Sequence, residues 1–282
     1  MYYYFYDLII EKHMEPGMKL ITICVFFMTA VFGYSLDLKM IDELNHDGKY
    51  EESLKLLKGS FDPANPDPAI IWRMSREIFE LAEATPSSRK NEKIAKYTEA
   101  MNVAKPYLDI KTGDKYDRAS IVFFYASNFG SRGRVIGISE SLGNLPELKS
   151  LADKALAIDP SLSLAYLLKA KIEEEVPSFL GGDKFLMGTY FSMSLKYDAE
   201  NLTVLYDAAN ALYNRNWDVK KKRSMTDKYG KDDGTPQDLT DREYAKKILE
   251  QAVIVYKKIK NPSLRDKEQY DNAVKLLSRL SR

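Results

Sequence analysis

The sequence predicts an all-α protein built from consecutive helix pairs. Apolar residues recur at spacings of three and four residues along almost the whole chain beyond residue 36, which is the period of amphipathic helices. Alternating apolar and polar stretches, which would indicate strands, are nearly absent. Helix start and stop signals divide the pattern into about eleven helices joined by short loops. We therefore expect an irregular α-solenoid, in which each helix pair stacks on the next.

The first 35 residues are expected to be a targeting segment. An uncharged apolar run at residues 20–33 suits the core of a signal peptide and is shorter than the roughly 20 residues of a membrane-spanning helix. Small residues just before Leu36 favour cleavage there, with Met18 as the true start, and export to the periplasm follows. The alternatives are an uncleaved membrane anchor through residues 20–33 and lipid attachment at Cys24.

Local signals bound the helices of the single domain expected at residues 36–282. Asp67-Pro68 begins a helix that runs through Ala84, because Asp is a favoured N-cap and Pro suits the first helical position. Thr85-Pro86 begins the next helix, which continues to about Tyr107.

Two capping boxes predict further helix starts. Asn144-Leu-Pro-Glu147 and Thr240-Asp-Arg-Glu243 both have the form in which a capping side chain and an acidic residue satisfy the first backbone amides. Asn261-Pro262 separates the last two helices. Residues 215–240 are a polar insertion in which acidic residues balance the basic run Lys220–Arg223, so we expect a solvated loop.

Parts of the sequence match the tetratricopeptide (TPR) repeat, which is a helix pair. Residues 151–160 (LADKALAIDP) resemble the close of the repeat, and Gly143 lies where the repeat has its turn glycine. A second unit has Gly182 at the turn and Phe191 as the aromatic residue of its second helix, and a third begins at Gly48. The step between the first two turn glycines exceeds the 34 residues of a regular repeat, so we expect a TPR-like but irregular array.

The stretch from Trp72 to Arg282 resembles one branch of TPR proteins. Residues 71–76 (IWRMSR), followed by Leu81-Ala82, look like the "WR-x-AR-x" helix of proteins of the regulator-of-microtubule-dynamics type, which have bacterial relatives. The unit at 151–160 and the stretch Val176–Gly182 follow in the same order. The chain is more loosely similar to periplasmic TPR subunits associated with TRAP transporters. The resemblance implies a helical-repeat fold and no shared catalytic residues.

Trp72, Arg73 and Arg76 are the first group of candidate binding residues. The two arginines are three positions apart on one predicted helix, so they lie on one face and could bind a carboxylate together. The alternative is structural, with Trp72 in the core and the arginines paired with Glu77, Glu80 or another helix.

A second group comes from the aromatic and glycine-rich stretch at residues 116–138. A phosphate-binding loop is not expected, since neither the Gly-Lys-Ser/Thr sequence nor a preceding strand is present. Gly133 and Gly137 instead share one helix face and would permit a close helix crossing. The remaining possibility is a groove for a peptide or ligand. Its candidate contact residues are Tyr125, Asn128 and Arg132.

A third group follows the spacing of the first helix of a repeat, whose face lines the concave surface of a solenoid. It consists of Tyr206, Asn210 and Tyr213, with Asn210 at a position where a small residue is usual. Asp183, after the Gly181-Gly182 turn, is expected to cap a helix instead of contacting a partner.

Composition restricts the function further. With 42 basic and 41 acidic residues the formal charge is +1, so the basic surplus of a nucleic-acid-binding protein is missing. With two histidines and one cysteine, no metal centre or cofactor is expected. We expect a non-catalytic scaffold of the cell envelope that binds a protein or peptide through its concave surface.

Two other functions stay open from the sequence. One is a periplasmic accessory subunit of a TRAP-type transporter, which would bind a small apolar ligand. The other is a carboxylate-based hydrolase, although no paired acidic motif stands out. Membrane contact is expected only through an uncleaved N-terminal segment.

Overall fold

The computed structural model describes residues 36–280, and within them it has thirteen α-helices and no strand. The predicted signal segment, its alternatives and Met18 lie outside the described residues. No helix in the described part is long and apolar enough to cross a membrane. The helices are α1 (Leu38–His46), α2 (Tyr50–Ser60), α3 (Pro68–Glu83), α4 (Lys90–Ala104), α5 (Lys115–Ile136), α6 (Ile138–Gly143), α7 (Leu145–Ile158), α8 (Ser163–Glu175), α9 (Lys184–Tyr197), α10 (Leu202–Arg215), α11 (Val219–Tyr229), α12 (Asp241–Lys258) and α13 (Leu264–Leu280).

The helices pack in consecutive pairs, which confirms the predicted all-α class for the described residues. α3 packs on α2 and α4, α4 packs on α5, and α8 packs on both α7 and α9. Two helices, α6 and α11, interrupt the pairing of consecutive helices. The six-residue α6 packs on α5, yet α5 also packs directly on α7, and α10 packs on α12 past α11. The described part therefore has two more helices than the eleven expected, and α11 lies inside the predicted loop.

Several helix starts follow from capping side chains that the sequence indicated. Asp67 accepts a hydrogen bond from the amide of Ala69 at the start of α3, where Pro68 is the first residue. Thr240 and Glu243 form the predicted capping box of α12. Asp183 accepts from the amides of two residues in the first turn of α9. In each case an oxygen satisfies an amide that lacks a partner within the helix.

The capping box predicted at Asn144–Glu147 is wrong. Asn144 precedes α7 without capping it, because its own backbone is helical and its side-chain amide donates to Glu140 Oε1 in α6 at 3.2 Å. The short helix α6 immediately before α7 thus supplies Asn144 with a different partner.

Small residues set the distance between neighbouring helices. Ser53, Ala155 and Ser194, which the repeat pattern aligns, are all fully buried. The hydroxyl of Ser163 in α8 donates to the carbonyl of Ser194 in α9 at 2.9 Å, and the hydroxyl of Ser194 donates to the carbonyl of Ser163 at 3.0 Å. These reciprocal bonds need backbones that approach closely, which larger side chains would prevent.

The glycines of α5 are used differently from the prediction. A Cβ at Gly130 would lie 3.2 Å from Leu148 of α7, and one at Gly133 would lie 3.4 Å from the side chain of Asn144. Gly137 does not take part in this crossing, because it ends α5 with φ of 147°. The pair at the close crossing is therefore Gly130 and Gly133.

The expectation of a solvated loop at 215–240 is wrong, because a buried ion cluster holds this segment. Arg215 contacts Asp233 and Asp241, each at 2.6 Å, and Lys222 lies 3.2 Å from Asp241. The four side chains are at most 3% exposed. Two cations and two anions balance within the cluster, and the guanidinium is bidentate on Asp241, which is the geometry that offsets desolvation.

The electrostatics of the cluster agree with this arrangement. Burial by itself would raise the pKa of Asp241, but the hydrogen bonds and charge of Arg215 outweigh burial and hold the pKa below its usual value. The guanidinium carbon of Arg215 also lies 4.2 Å from the centroid of the Trp217 ring, and this cation–π contact further stabilises the cluster.

The two ends of the helical array also meet. Nε2 of His46, the last residue of α1, lies 2.7 Å from the carbonyl oxygen of Asn261. Arg265, in the first turn of α13, donates to Glu80 of α3 at 3.0 Å. The residues in these contacts are 215 and 185 positions apart in the chain, so the array curves until its last helix reaches its first ones.

Gly188 of α9 provides a test of the ion cluster. A methyl group at this position would overlap the Asp233 carboxylate and the Arg215 guanidinium. We predict that Gly188→Ala lowers the free energy of unfolding by about 1–3 kcal/mol, in the range of overpacked sites. Urea unfolding followed by circular dichroism measures this change.

Gly59→Ala is the matched control. Gly59 is also helical, in α2, and nothing lies within 4 Å of the added Cβ, so this variant should gain roughly 0.5 kcal/mol. Equal effects of the two substitutions would contradict the proposed crowding at Gly188.

Candidate binding cavity

A cavity of about 300 Å³ lies where α3, α5, α8 and α10 face one another. The short helix α6 and the start of α7 also line it, and α13 adds one side chain, that of Arg265. The residues around it are Phe79, Phe123, Ser127, Gly130, Ser131, Gly133, Arg134, Ser141, Asn144, Leu145, Leu148, Leu164, Leu167, Leu168, Lys171, Ile172, Glu175, Val176, Thr203, Asp207 and Arg265.

Most of the lining is apolar. Two aromatic rings, Phe79 of α3 and Phe123 of α5, are partly exposed there, together with leucines of α7 and α8. Gly130 and Gly133 of α5 also line the cavity. Partly exposed apolar surface within a concave site is the usual basis for binding an apolar group.

Charged side chains complete the cavity, and most of them are ion-paired. Arg134 lies 3.5 Å from Glu175, Lys171 lies 2.7 Å from Glu174, and Arg265 lies 3.0 Å from Glu80. Glu174 and Glu80 lie outside the lining, so the charged groups of these pairs that line the cavity come from α5, α8 and α13.

Asp207 of α10 differs from these groups. Its carboxylate is partly buried, and among the described residues no Lys, Arg or His nitrogen lies within 4.0 Å of it. Burial raises its pKa, and the neighbouring carboxylates Glu174 and Glu175 act in the same direction, against the charges of Lys171 and Arg265. An ionised carboxylate without an ion-pair partner in a partly desolvated position costs free energy.

Trp72, Arg73 and Arg76 lie away from the cavity, in a network at the start of the array. Trp72 is 5% exposed and donates from Nε1 to Asp117 at 2.7 Å. Both arginines bind the carboxylate of Asp42 in α1, each at 2.8 Å. The carboxylate that the sequence led us to expect is therefore supplied by the chain itself.

This network also stacks the charges on the aromatic ring. The guanidinium carbons of Arg73 and Arg76 lie 4.2 and 5.0 Å from the centroid of the Trp72 ring. Burial favours a higher pKa for Asp42, yet the hydrogen bond from Arg73 and the charge of Arg76 hold the pKa below its usual value. These three residues of α3 therefore hold α1 through Asp42 and α5 through Asp117.

Tyr125 and Asn128 of α5 are core residues. Tyr125 is 6% exposed and stacks on Phe129, and Asn128 is 0% exposed and donates to the carbonyl of Phe124 at 2.7 Å. Arg132 is half-buried, and its Nε has no hydrogen-bond partner among the described residues. These three side chains do not line the cavity, because Ser127, Gly130 and Ser131 occupy the face of α5 that does.

Tyr206, Asn210 and Tyr213 lie on the helix that the cavity uses, but they do not line it. Tyr206 and Tyr213 pack against the core cluster formed by α8, α9, α10, α12 and α13. Thr203 and Asp207 face the cavity, and Asn210 is one turn beyond Asp207 on the same face. The cavity therefore uses α10 through Thr203 and Asp207, and none of the three predicted residues lines it.

Sequence reasoning missed Asp207, Phe79 and Phe123. Asp207 directly follows the candidate Tyr206, and an acidic residue within the apolar stretch LTVLYDAANAL was the available signal. Phe79 carried no signal, since an aromatic residue at helical spacing reads as an ordinary core position.

No group of three or more His, Cys, Asp or Glu that could hold a metal ion occurs within residues 36–280.

The matched region of a known family begins at α1 and ends within α8. Residues 37–171 match the model of the family described as regulator of microtubule dynamics protein 1-3. This match is to just under half of the chain, and it contains the Trp72 network and the α5 side of the cavity. A comparison with the curated proteins finds no match.

The family model agrees in part with the resemblance seen in the sequence. It supports the similarity to the regulator-of-microtubule-dynamics type as far as Lys171 and extends it upstream of Trp72 to Asp37. The segment from Ile172 to the end of the chain, which supplies Asp207 and the ion cluster, lies beyond the match.

Asp207 allows a direct test of the electrostatics of the cavity. Because burial raises its pKa, the folded state holds the proton more tightly than the unfolded state does. The ionised side chain therefore destabilises the fold at any pH above its folded pKa, and this effect vanishes below the unfolded value of about 3.9. We predict that Asp207→Asn raises Tm near neutral pH. The gain should disappear as the pH falls from above the folded pKa of Asp207 to below the unfolded value of about 3.9.

Thermal unfolding of the unmodified chain and of Asp207→Asn across this pH range measures the difference in Tm. Asp271→Asn, at an exposed position of α13, is the matched control and should leave Tm unchanged. A lower Tm for Asp207→Asn near neutral pH would mean that the carboxylate has a stabilising partner.

Proposed function

We propose that the protein is a non-catalytic scaffold of the cell envelope that binds a segment of a partner protein along the concave face. The observation that carries this proposal is the cavity itself, which combines a partly exposed apolar lining with charged side chains from several helices of one array. Helical-repeat proteins use such faces to hold peptides or helices.

The dimensions of the cavity favour a side chain as the anchor. A volume of about 300 Å³ accommodates one or two side chains and cannot hold a whole folded element. We infer that a partner segment lies along the concave face and inserts its anchor residue between α5 and α8. Anchors of this kind, in a pocket near the centre of a contact, carry most of the binding free energy.

The cellular location is part of the proposal and rests on the sequence. The apolar run at residues 20–33 supports export, and the remaining chain has no cysteine, so it needs no particular redox environment to fold. The poverty in histidine and cysteine supports binding over catalysis.

A small apolar ligand is the second candidate, and the same cavity favours it. Its volume is at the lower end of the range for ligand sites, and its walls are mainly apolar. Such a ligand would fit the role of an accessory subunit of a solute transporter. Native mass spectrometry distinguishes this function, because it predicts a co-purifying small molecule that dissociates on unfolding.

Ser127→Phe tests the scaffold proposal. Ser127 lies on the cavity face of α5, and a phenyl ring there would occupy the space of the anchor. We predict that peptides selected from a random display library against the full chain lose about tenfold or more in affinity for this variant. Fluorescence anisotropy with the labelled peptides gives the dissociation constants.

Ser150→Phe is the matched control, since it makes the same substitution at an exposed position of α7 outside the cavity. Its affinities should equal those of the unmodified chain. Selected peptides that bind both variants equally well would place the binding surface elsewhere and refute a role for this cavity.

A further inference from the structure

We propose that the side of α5 opposite the cavity is a second interaction surface, which binds an acidic segment of a partner protein through Arg118 and Arg132. The surface is a strip of three side chains, Arg118, Tyr125 and Arg132, and we call it the outer strip. The inference goes beyond the proposed function, because the cavity uses other residues of the same helix. It rests on the placement of the strip, the missing partners of its two guanidinium groups, and the distance between them.

The outer strip points away from the cavity. Its residues are seven positions apart in α5, and seven positions are close to two full turns, so the three side chains leave the helix on one side. Phe123 and Ser127, two positions before and after Tyr125, both line the cavity. The residues two positions before and after Arg132 line it as well. Two positions turn a side chain by about 200°, so Tyr125 and Arg132 face the opposite side.

The two arginines of the strip lack the partners that other arginines of this fold have. Both are half-buried, and Nε of each is enclosed without a hydrogen-bond partner among the described residues. No carboxylate oxygen of residues 36–280 lies within 4.0 Å of either guanidinium, whereas Arg73, Arg76 and Arg215 all bind carboxylates. Their terminal nitrogens are not enclosed, so they are open to a partner, while the buried stem limits the motion of the side chain.

Tyr125 supplies a third donor between the arginines. Its ring is buried and stacks on Phe129, and its hydroxyl has no hydrogen-bond partner in the described part of the chain. Burial raises the pKa of the hydroxyl, as does the charge of Glu147 at the start of α7, against the charge of Arg132. The hydroxyl therefore keeps its proton at neutral pH and can donate to an acceptor on the bound segment.

The distance between the arginines indicates what kind of anion fits. Fourteen positions of a helix correspond to about 21 Å along its axis. A single phosphate or carboxylate is held by donors that converge on it, and two guanidinium groups at this distance cannot do so. About six residues of an extended chain cover the same length, so one protein segment can present a carboxylate to each arginine. The strip therefore suits separate acidic side chains of one segment.

Two labelled ten-residue peptides test this surface on the full chain. One alternates serine with glutamate and the other alternates serine with glutamine, so that they differ mainly in charge. We predict that at low ionic strength the glutamate peptide binds about tenfold more tightly than the glutamine peptide, and that added salt reduces this preference. Fluorescence anisotropy gives the dissociation constants. Equal affinities, or no measurable binding of the glutamate peptide, would overturn the inference.

Arginine variants assign the preference to the strip. Arg118→Gln and Arg132→Gln should each weaken binding of the glutamate peptide about threefold, and the double variant should bind both peptides equally. Arg279→Gln, which removes an exposed arginine of α13, is the matched control and should keep the full preference. Thermal unfolding establishes that the variants are folded. A preference for glutamate that persists in the double variant would overturn the inference.

Nuclear magnetic resonance of the unmodified chain gives a second measurement that needs no variant. The glutamate peptide should shift the ring signals of Tyr125 and leave the methyl signals of Leu168, which lines the cavity, in place. Shifts at Leu168 without shifts at Tyr125 would place the peptide in the cavity and overturn the inference.

Ser127→Phe separates this surface from the proposed function. Because the substitution lies on the cavity face of α5, the variant should bind the glutamate peptide as tightly as the unmodified chain does. Loss of that binding would overturn the inference. Library-selected peptides that bind this variant and the unmodified chain equally would refute the role of the cavity, and the outer strip would stand if the glutamate preference still depends on its two arginines.

Discussion

Close contact between consecutive helices is the constraint on which the rest of the structure depends. A helix pair in such an array cannot bury its apolar face alone and needs the next pair to cover it. Fully buried small residues, Ser53, Ala155 and Ser194, allow that contact, as do Gly130 and Gly133 at the crossing of α5 with α6 and α7. The same two glycines are also among the residues that line the cavity.

The buried acidic groups of this packing are held mainly in ion pairs. Arg215 and Lys222 neutralise Asp233 and Asp241, and at the other end of the array Asp42 joins Arg73 to Arg76. The first cluster ties the 215–240 segment to α10 and α12, and the second ties α1 to α3. Buried charges in pairs of this kind are strongly destabilised when one partner is lost, so they fix how the segments are placed. Asp207 lacks such a partner within residues 36–280, and it lies in the cavity.

The candidate site shows where sequence reasoning succeeds and where it ends. The third group of predicted residues lies on α10, and two other residues of that helix, Thr203 and Asp207, line the cavity. A shift of one position along a helix turns a side chain by about 100°, so a repeat pattern that marks a helix does not fix which of its side chains face a cavity. For Arg73 and Arg76 the paired chemistry was recognised correctly, but the carboxylate that they bind comes from α1, 31 residues upstream of Arg73. Nothing local to either helix indicates that distance in the fold.

By itself, the sequence determined the features that depend on neighbouring residues. These are the all-α class, the helix starts at Asp67, Asp183 and Thr240, and the small residues at helix contacts. Tertiary structure alone decided that the 215–240 segment is anchored by buried ion pairs, that α13 returns to α3, and that Asp207 is left without a cation. The physical reason is range: caps and helix periodicity act within a few residues, whereas charge pairing and cavity shape depend on residues up to 185 positions apart.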